Sequence, residues 1–367
     1  MKKIMSLFLM LAMSAALMTG CAKSTDTTGA AQGTVEGTEE STENAGTEGT
    51  VEGEDGTEGT AEDAAEPEEE VTLRIGALKG PTAMGMVSLM NQQSGEDANY
   101  QFTIAGAADE ITPLLVKGDL DFAAVPANLA SVLYNNTNGA IEVVAVNTLG
   151  VIYIVENGDN VQNVEDLRGK TIYASGKGST PEYALNYILK SNGIDPETDV
   201  TIEWKSEHTE CLAALSASEN AIAMLPQPFV TTAQTKIETI RIALDLTAEW
   251  NKIQKDEAEA STLITGVIVA RKEILESYPE QVSAFLDAYK ESVSFVNENT
   301  AKAAELVGSF DIVPADVAEI ALPYCNITFM EGAEMKEKLS GYLNVLFEQN
   351  PQSVGGSLPN EDFYYAR

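Results

Sequence analysis

The chain has 367 residues, with 57 aspartates and glutamates against 22 lysines and arginines, and a formal net charge of −35. This acidic surplus argues against nucleic-acid binding, which needs a positive surface, and it provides no long-range attraction of anions. The single histidine, His208, excludes a histidine-rich zinc site, and no serine lies in a pattern that indicates a nucleophile.

The first twenty residues have the pattern of a secretory signal peptide. Lys2 and Lys3 precede an apolar run from Ile4 to Met18, which is too short to span a membrane. Small residues then lead to Cys21, and in this the segment resembles a bacterial lipoprotein signal. The resemblance implies a lipid on Cys21 that anchors the protein at the outer face of the bacterial cytoplasmic membrane. The alternative is an ordinary secreted protein with an incidental cysteine.

Residues 22–70 have the composition of a disordered tether. They contain sixteen acidic residues and one basic residue, Lys23, and no aromatic residue. Such a segment has too little apolar surface to offset the loss of chain entropy on folding, and its charges repel one another. We therefore predict that residues 21–70 form a lipidated, extended tether without a binding role.

The folded part begins near Val71 and is long enough for two lobes. Its first half alternates apolar strand patterns with helix patterns, which is typical of a mostly parallel sheet flanked by helices. Strands are predicted at Val71–Leu78, Tyr100–Ile104, Asp121–Val125, Ile141–Asn147 and Val151–Val155, with helices at Pro81–Gln93 and Asp109–Lys117.

The same order of elements then begins again. Strands are predicted at Thr171–Ala174, Val200–Trp204 and Ala221–Leu225, with helices at Pro181–Ser191 and Glu210–Ser216. The spacing of particular residues repeats as well, because Lys79 to Pro126 is 47 positions and Lys177 to Pro226 is 49. This internal pseudo-repeat indicates two lobes of similar architecture.

The last third of the chain returns to the first lobe. Leu263–Ala270 reads as a strand, and the residues after it are helical. Amphipathic helices are predicted at Pro279–Asn297, Ala301–Val307, Pro314–Ile320 and Glu334–Phe347, where they would cover the first lobe's sheet.

Several motifs in this order resemble the extracytoplasmic solute-binding proteins of ABC importers. The motifs are the strand followed by Lys79–Thr82, the run Lys117–Ala123, Asp166–Lys170 before a strand, and Tyr278–Gln281 at the start of an alanine-rich helix. The chain is most similar to the group that takes sulfonates, nitrate and thiamine precursors. The resemblance covers about residues 71–341. It implies an α/β, two-lobed type II periplasmic-binding-protein fold with two hinge crossings, and a permease as partner.

The pattern of elements places the lobe boundaries. The first hinge is expected in Val151–Asp159 and the return in Leu263–Ala270. Lobe one would then comprise residues 71–157 and 267–367, and lobe two residues 158–266. Cys211 and Cys325 fall in different lobes, so we predict that both are free, buried thiols.

Ligands of open α/β sheets bind at the carboxyl ends of strands, beside helix N-termini that attract anions. Both lobes offer such a loop, and the resemblance also implies that these loops face the ligand. We therefore expect an anionic or strongly polar solute group that is held without a metal or cofactor. The alternative for Lys79 and Lys177 is that both are solvated loop lysines, and the alternative for Met84 is a position in the core. The candidate ligand-binding residues are Lys79, Gly80, Pro81, Thr82, Met84, Asn128, Thr148, Lys177, Gly178, Ser179, Thr180 and Gln227.

These observations predict a monomeric, lipid-anchored receptor that captures a small solute by lobe closure and delivers it to a permease. It is not expected to be an enzyme. Two alternatives share the same features. One is a small-metabolite lyase on this scaffold, with Glu182 and Asp109–Glu110 as candidate bases. The other is a solute sensor for a receptor kinase. His208 is expected to be a surface residue after a strand.

Overall fold

The structure is a computed structural model that describes residues 71–95, 98–255 and 260–367. The predicted signal peptide, the lipidation site Cys21 and the predicted tether lie outside the described residues. No helix within the described ranges is long and apolar enough to cross a membrane.

Strands and helices alternate along most of the described chain, as the sequence predicts. Apolar β-branched runs form the strands, and most of their side chains are buried. In chain order the strands are β1 (Leu73–Leu78), β2 (Tyr100–Ala105), β3 (Phe122–Pro126), β4 (Ile141–Leu149), β5 (Ile152–Asn157), β6 (Thr171–Ser175), β7 (Thr201–Lys205), β8 (Ile222–Pro226), β9 (Ile240–Asp245), β10 (Ile264–Arg271) and β11 (Ile327–Met330).

The helices follow the strands and become continuous in the last third of the chain. In chain order they are α1 (Pro81–Met84), α2 (Val87–Gln92), α3 (Ala108–Lys117), α4 (Ala127–Asn136), α5 (Thr180–Ser191), α6 (His208–Ala217), α7 (Phe229–Lys236), α8 (Leu246–Gln254), α9 (Lys272–Ser277), α10 (Pro279–Glu298), α11 (Thr300–Ser309), α12 (Ala315–Ala321) and α13 (Gly332–Gln349).

The strands form two sheets whose orders repeat. The first sheet has the order β11-β4-β10-β3-β1-β2, and the second has the order β7-β6-β8-β5-β9. In each sheet three strands are mutually parallel, and the fourth, β10 or β5, is antiparallel to its neighbour β3 or β8. Both sheets therefore share one five-strand pattern, and the predicted two-lobed α/β fold is confirmed.

The two lobes exchange one strand each. Strand β5 directly follows β4 in the chain but pairs with β8 and β9 in the second sheet. Strand β10 follows the second lobe but pairs with β3 and β4 in the first sheet. Two chain crossings, at Gly150–Val151 and before Ile264, therefore join the lobes.

The predicted boundaries differ from this strand assignment. Residues 152–157 were expected in lobe one, and residues 264–266 in lobe two, whereas each set pairs with the other sheet. The first crossing, at Gly150–Val151, therefore lies at the beginning of the predicted hinge Val151–Asp159. The second crossing, before Ile264, lies at the start of the predicted return segment Leu263–Ala270. The reason is that both strands are apolar on both faces, so the sequence gives no sign of the sheet in which they are buried.

The core is divided by the sheets. One face of the first sheet, with α1, α2 and α10–α12, forms a core of its own, and so does one face of the second sheet, with α6 and α7. The third core is continuous between the lobes and includes α4, α5, α8 and α13. Helices α10–α12 cover the first lobe as predicted, whereas α13 packs on both lobes. Cys211 and Cys325 are free and buried, as predicted.

Candidate functional site

The carboxyl ends of the parallel strands in the first lobe carry three polar segments: residues 79–82, Pro126–Asn128 and Asn147–Thr148. The side-chain amide of Asn147 donates to the carbonyl oxygen of Thr82 at 3.2 Å. The hydroxyl of Thr148 contacts the side-chain oxygen of Asn147 at 3.2 Å. These bonds join two of the segments into one polar edge.

The loop before α1 keeps backbone groups available. Gly80 has φ of 124°, a left-handed conformation that favours glycine, and it precedes Pro81 at the start of the helix. Within the described part of the chain, the N–H groups of Gly80 and Thr82 have no hydrogen-bond partner. These two N–H groups are therefore the free backbone donors of the first lobe's loop.

Two predicted residues of this loop have other partners. The ammonium of Lys79 lies 2.8 Å from the carboxylate of Asp311, in an exposed ion pair. Met84 is fully buried, and its sulfur lies 3.9 Å from the sulfur of Cys325. The structure thus places Met84 in the apolar core that α1 shares with α2 and α10–α12.

Asn128 and Thr180 meet across the two lobes. The Thr180 hydroxyl contacts the side-chain oxygen of Asn128 at 3.2 Å, and both residues are almost completely buried. The Tyr342 hydroxyl donates to Thr180 at 3.1 Å, and the Asn128 amide donates to the Ser353 carbonyl at 3.2 Å. The loops that begin α4 and α5 are thereby held at one place, although their polar atoms are already paired.

The loop before α5 is partly closed by its own helix. The N–H of Gly178 donates to the Glu182 carboxylate at 2.6 Å, and the Ser179 hydroxyl donates to the carbonyl of Gly176 at 2.7 Å. Lys177 is exposed and lines an open surface depression of about 480 Å³ with Gly178 and Glu182. Among the described residues it has no hydrogen bond or ion pair. The Lys177 ammonium is thus an uncommitted side-chain donor of this loop.

Gln227 is buried after β8 and serves mainly as a helix cap. Its side-chain oxygen accepts hydrogen bonds from the hydroxyl of Thr231 at 2.9 Å and from the N–H of Thr231 at 3.3 Å. Its backbone N–H donates to the Val151 carbonyl at 2.9 Å, which fixes the first crossing against the second sheet.

The strand ends of the second lobe also hold His208, which was predicted to follow a strand but to lie on the surface. Nδ1 of His208 lies 2.5 Å from the Ser175 hydroxyl, and its ring packs on Phe229 with centroids 4.8 Å apart. Ser175 ends β6, His208 begins α6 after β7, and Phe229 begins α7 after β8. His208 is therefore half-buried, and the prediction of a surface residue is wrong. The signal for it was the pseudo-repeat, which places His208 at a strand end.

Burial sets the ionisation of this cluster. Desolvation lowers the pKa of His208, and the nearby carboxylate of Glu207 opposes this with a smaller effect. Desolvation also raises the pKa of Cys211, on the same helix. A neutral imidazole and a neutral thiol therefore lie beside the strand ends near pH 7. No group of three or more histidines, cysteines or carboxylates in residues 71–95, 98–255 and 260–367 is placed to hold a metal ion.

Comparison with protein families identifies the kind of protein. The family described as the periplasmic substrate-binding protein of phosphonate ABC transporters matches residues 85–319. The chain belongs to this family. The prediction of a solute-binding component of an ABC importer is thereby confirmed, with a small-molecule solute and a membrane permease as its partners. No protein of curated function matches the sequence.

Several solved structures have a similar fold. An ABC transporter protein from Parabacteroides distasonis is 21% identical, with a TM-score of 0.68 over 81% of this chain and 99% of that one. The periplasmic aliphatic sulphonate binding protein SsuA from Escherichia coli is 18% identical, with a TM-score of 0.64 over 80% and 92%. The alkanesulfonate-binding SsuA from Xanthomonas axonopodis, bound to MOPS, is 15% identical, with a TM-score of 0.56 over 78% and 94%. At these identities the likeness concerns the fold.

Proposed function

We propose that this substrate-binding protein captures a small solute with a tetrahedral oxyanion, a phosphonate or a sulfonate, in the cleft between its lobes. The description of the matching family names phosphonate as the transported solute, and two of the similar structures are sulfonate-binding proteins. The cleft closes on the solute and presents it to the permease. The observation that carries this proposal is the Thr180–Asn128 contact, which brings strand-end loops of both lobes together.

The chemistry of the strand ends fits an anion held mostly by neutral donors. The free N–H groups of Gly80 and Thr82 lie on the first lobe's side. On the second lobe's side, the Ser175 hydroxyl donates to Nδ1 of His208. The proton of the neutral ring is then on Nε2, so Nε2 is a donor. Neutral, preorganised donors can bind an oxyanion without the long-range field that this acidic protein lacks.

Two of the three candidate bases of the alternative lyase, Glu182 and Glu110, have structural partners, which supports a binding function for this protein. Glu182 accepts the N–H of Gly178 at 2.6 Å, and Glu110 accepts the N–H of Ala107 at 3.0 Å. Both carboxylates cap their own helices, which gives each of them a structural role. Binding and release would be the whole task of the site.

Anchoring to the membrane through a lipid on Cys21 is part of the proposal. It rests on the signal-like residues before Cys21 and on the acidic composition of residues 22–70. A flexible coil of this length reaches on the order of 40 Å, enough to let a monomeric receptor work beside its permease. Metabolic labelling with a radioactive fatty acid should mark the wild-type protein and not the Cys21→Ser variant. Labelling of both proteins, or of neither, would contradict the anchor.

The solute class is tested by thermal unfolding with defined probes. Methylphosphonate, methanesulfonate and inorganic phosphate are each added at millimolar concentration, with the neutral isostere dimethyl sulfone as the control. A ligand that binds only the folded state raises the melting temperature. We expect at least one oxyanion to raise it and the sulfone to have no effect. A rise with neutral solutes alone would refute the proposal.

The contribution of Lys177 has a control at the opposite end of the same strand. Lys170 lies just before β6, is also exposed, and like Lys177 has no ion pair in the described part of the chain. Lys177→Ala should weaken binding of the anion found above by about 1–3 kcal/mol, because a charge-assisted hydrogen bond is lost. Lys170→Ala should leave the affinity unchanged. Equal effects in calorimetric titrations would mean that Lys177 is an ordinary surface lysine.

A further inference from the structure

The two lobes meet differently on the two faces of their sheets. On one face a single apolar core continues from α4 and α13 of the first lobe to α5 and α8 of the second. On the other face the cores are separate, one with α10–α12 in the first lobe and one with α6 and α7 in the second. Because the packing is continuous on one face and interrupted on the other, the lobes should separate more easily on the face where their cores are separate.

The aromatic rings at the continuous face come from both lobes. Trp250 of α8 packs on Tyr342 of α13 with ring centroids 5.6 Å apart, and on Tyr187 of α5 with centroids 4.5 Å apart. Trp250 and Tyr342 are fully buried. Separation of the lobes here would expose these rings to water, and the cost of that exposure grows with the apolar area.

Polar contacts reinforce the same face. The Tyr342 hydroxyl donates to Thr180 at 3.1 Å, the side-chain amide of Gln349 donates to the Tyr183 carbonyl at 3.1 Å, and Asn350 donates to the Tyr183 hydroxyl at 3.3 Å. Each of these bonds runs from the α13 segment of the first lobe to α5 of the second. Helix α13 is thus attached to the second lobe by side-chain bonds as well as by apolar packing.

The opposite face lacks such bonds. Helix α12 of the first lobe contacts α7 of the second. No hydrogen bond or ion pair joins these two helices in the described part of the chain. The apolar side chain of Ile320 in α12 and that of Tyr324, which follows this helix, remain about half exposed, at 51% and 49%. One polar contact lies nearby, in which the Tyr153 hydroxyl of the second lobe donates to the Tyr324 carbonyl at 3.0 Å.

We infer that α13 is a permanent third connection between the lobes and that the cleft opens only between α12 and α7. The lobes then rotate about an axis through the two chain crossings and the α13–α5 contact. The residues Asn128 and Thr180 lie beside this axis and stay together during opening. Solute would enter past Ile320 and Tyr324, the exposed residues at the mouth.

Distances between spin labels test this without any solute. In the full-length chain with Cys21→Ser, one label pair spans the mouth at Glu319→Cys and Lys236→Cys, and a second pair spans the α13 side at Asn344→Cys and Lys190→Cys. All four positions are exposed, whereas Cys211 and Cys325 are buried and react poorly. Electron–electron double resonance should give a broad or lengthened distribution at the mouth and a narrow one on the α13 side. Equal widths, or a broader α13 side, would overturn the inference.

A hydroxyl deletion supplies the second test. Tyr153→Phe removes the one polar contact at the mouth and should shift the mouth distances further toward long values, with no change on the α13 side. Tyr134→Phe is the matched control, since the Tyr134 hydroxyl bonds to Asp362 inside the first lobe. The inference fails if Tyr153→Phe leaves the mouth unchanged, or if the control moves it as much.

Discussion

The single histidine makes the pH dependence of stability unusually easy to interpret. His208 is half-buried against Ser175 and Phe229, and desolvation lowers its pKa in the folded protein. In the unfolded chain the imidazole is exposed to water and titrates near its ordinary pKa of about 6.5. Protons therefore bind more readily to the unfolded state as the pH falls.

The sign and the limit of the effect follow from proton linkage. Above pH 6.5 both states hold a neutral ring, and the stability due to the buried imidazole is fully present. Below that pH the unfolded state gains a proton that the folded state resists, and the free energy of unfolding falls by at most about 1.4 kcal/mol per pH unit for one proton. The loss ends below the folded-state pKa, where both states are protonated.

The assay is urea denaturation of the wild-type chain and of His208→Gln at pH 7.5, 6.5 and 5.5. Carboxylates contribute equally to both proteins, so the difference between their free energies of unfolding isolates the histidine. We expect the wild type to lose stability relative to the variant between pH 6.5 and 5.5, by at most about 1 kcal/mol. A difference that is independent of pH, or an NMR titration of His208 with a midpoint at or above 6.5, would refute the reasoning.

Three further predictions concern the free energy of unfolding, measured by urea denaturation. Arg241→Ala should lower it by about 3 kcal/mol, because Arg241 neutralises the fully buried Glu156 at 2.8 Å and a lone buried charge is costly; a change below about 1 kcal/mol would contradict this. Gly80→Ala should lower it by about 1–3 kcal/mol through backbone strain alone, since φ is 124° and no atom lies within 4 Å of the added methyl group; an unchanged value would refute the strain. Tyr342→Phe should lower it by about 1 kcal/mol, because it removes the bond to Thr180 and keeps the ring; no loss would mean that this bond contributes nothing.

Local patterns in the sequence were sufficient to predict most strands and the fold class. The strand at Leu73–Leu78 and the helix at Thr180–Ser191 lie within about two residues of their predictions, because apolar periodicity and the proline at a helix start are properties of short segments. The pseudo-repeat is visible for the same reason, since each half carries its own turn and strand signals. Helices α4, α7 and α8 were missed, because α4 and α7 have no acidic residue in the first turn and α7 and α8 consist mainly of polar residues.

Pairings between distant parts of the chain were beyond the sequence. The exchange of β5 and β10 depends on which sheet each strand joins. The sequence does not indicate this, because both strands are equally apolar on either face. The attachment of α13 to the second lobe depends on the meeting of Tyr342 and Thr180, which are 162 positions apart. The Lys79–Asp311 ion pair likewise joins distant parts of the chain, and it gives Lys79 a partner that could not be predicted from the sequence.

The glutamates near the starts of the helices narrow the place where an anion can bind. Glu110, Glu182 and Glu210 each accept a backbone N–H just before their own helix, so α3, α5 and α6 already hold a negative charge at the end that attracts anions. Helix α4 has no acidic residue in its first turn and begins at Ala127, next to Asn128. An incoming oxyanion would meet carboxylate repulsion at the start of α5 and none at the start of α4. The first lobe's loops should therefore hold the charged head of the solute, while the second lobe contributes the neutral His208 edge and the Lys177 ammonium and closes over it.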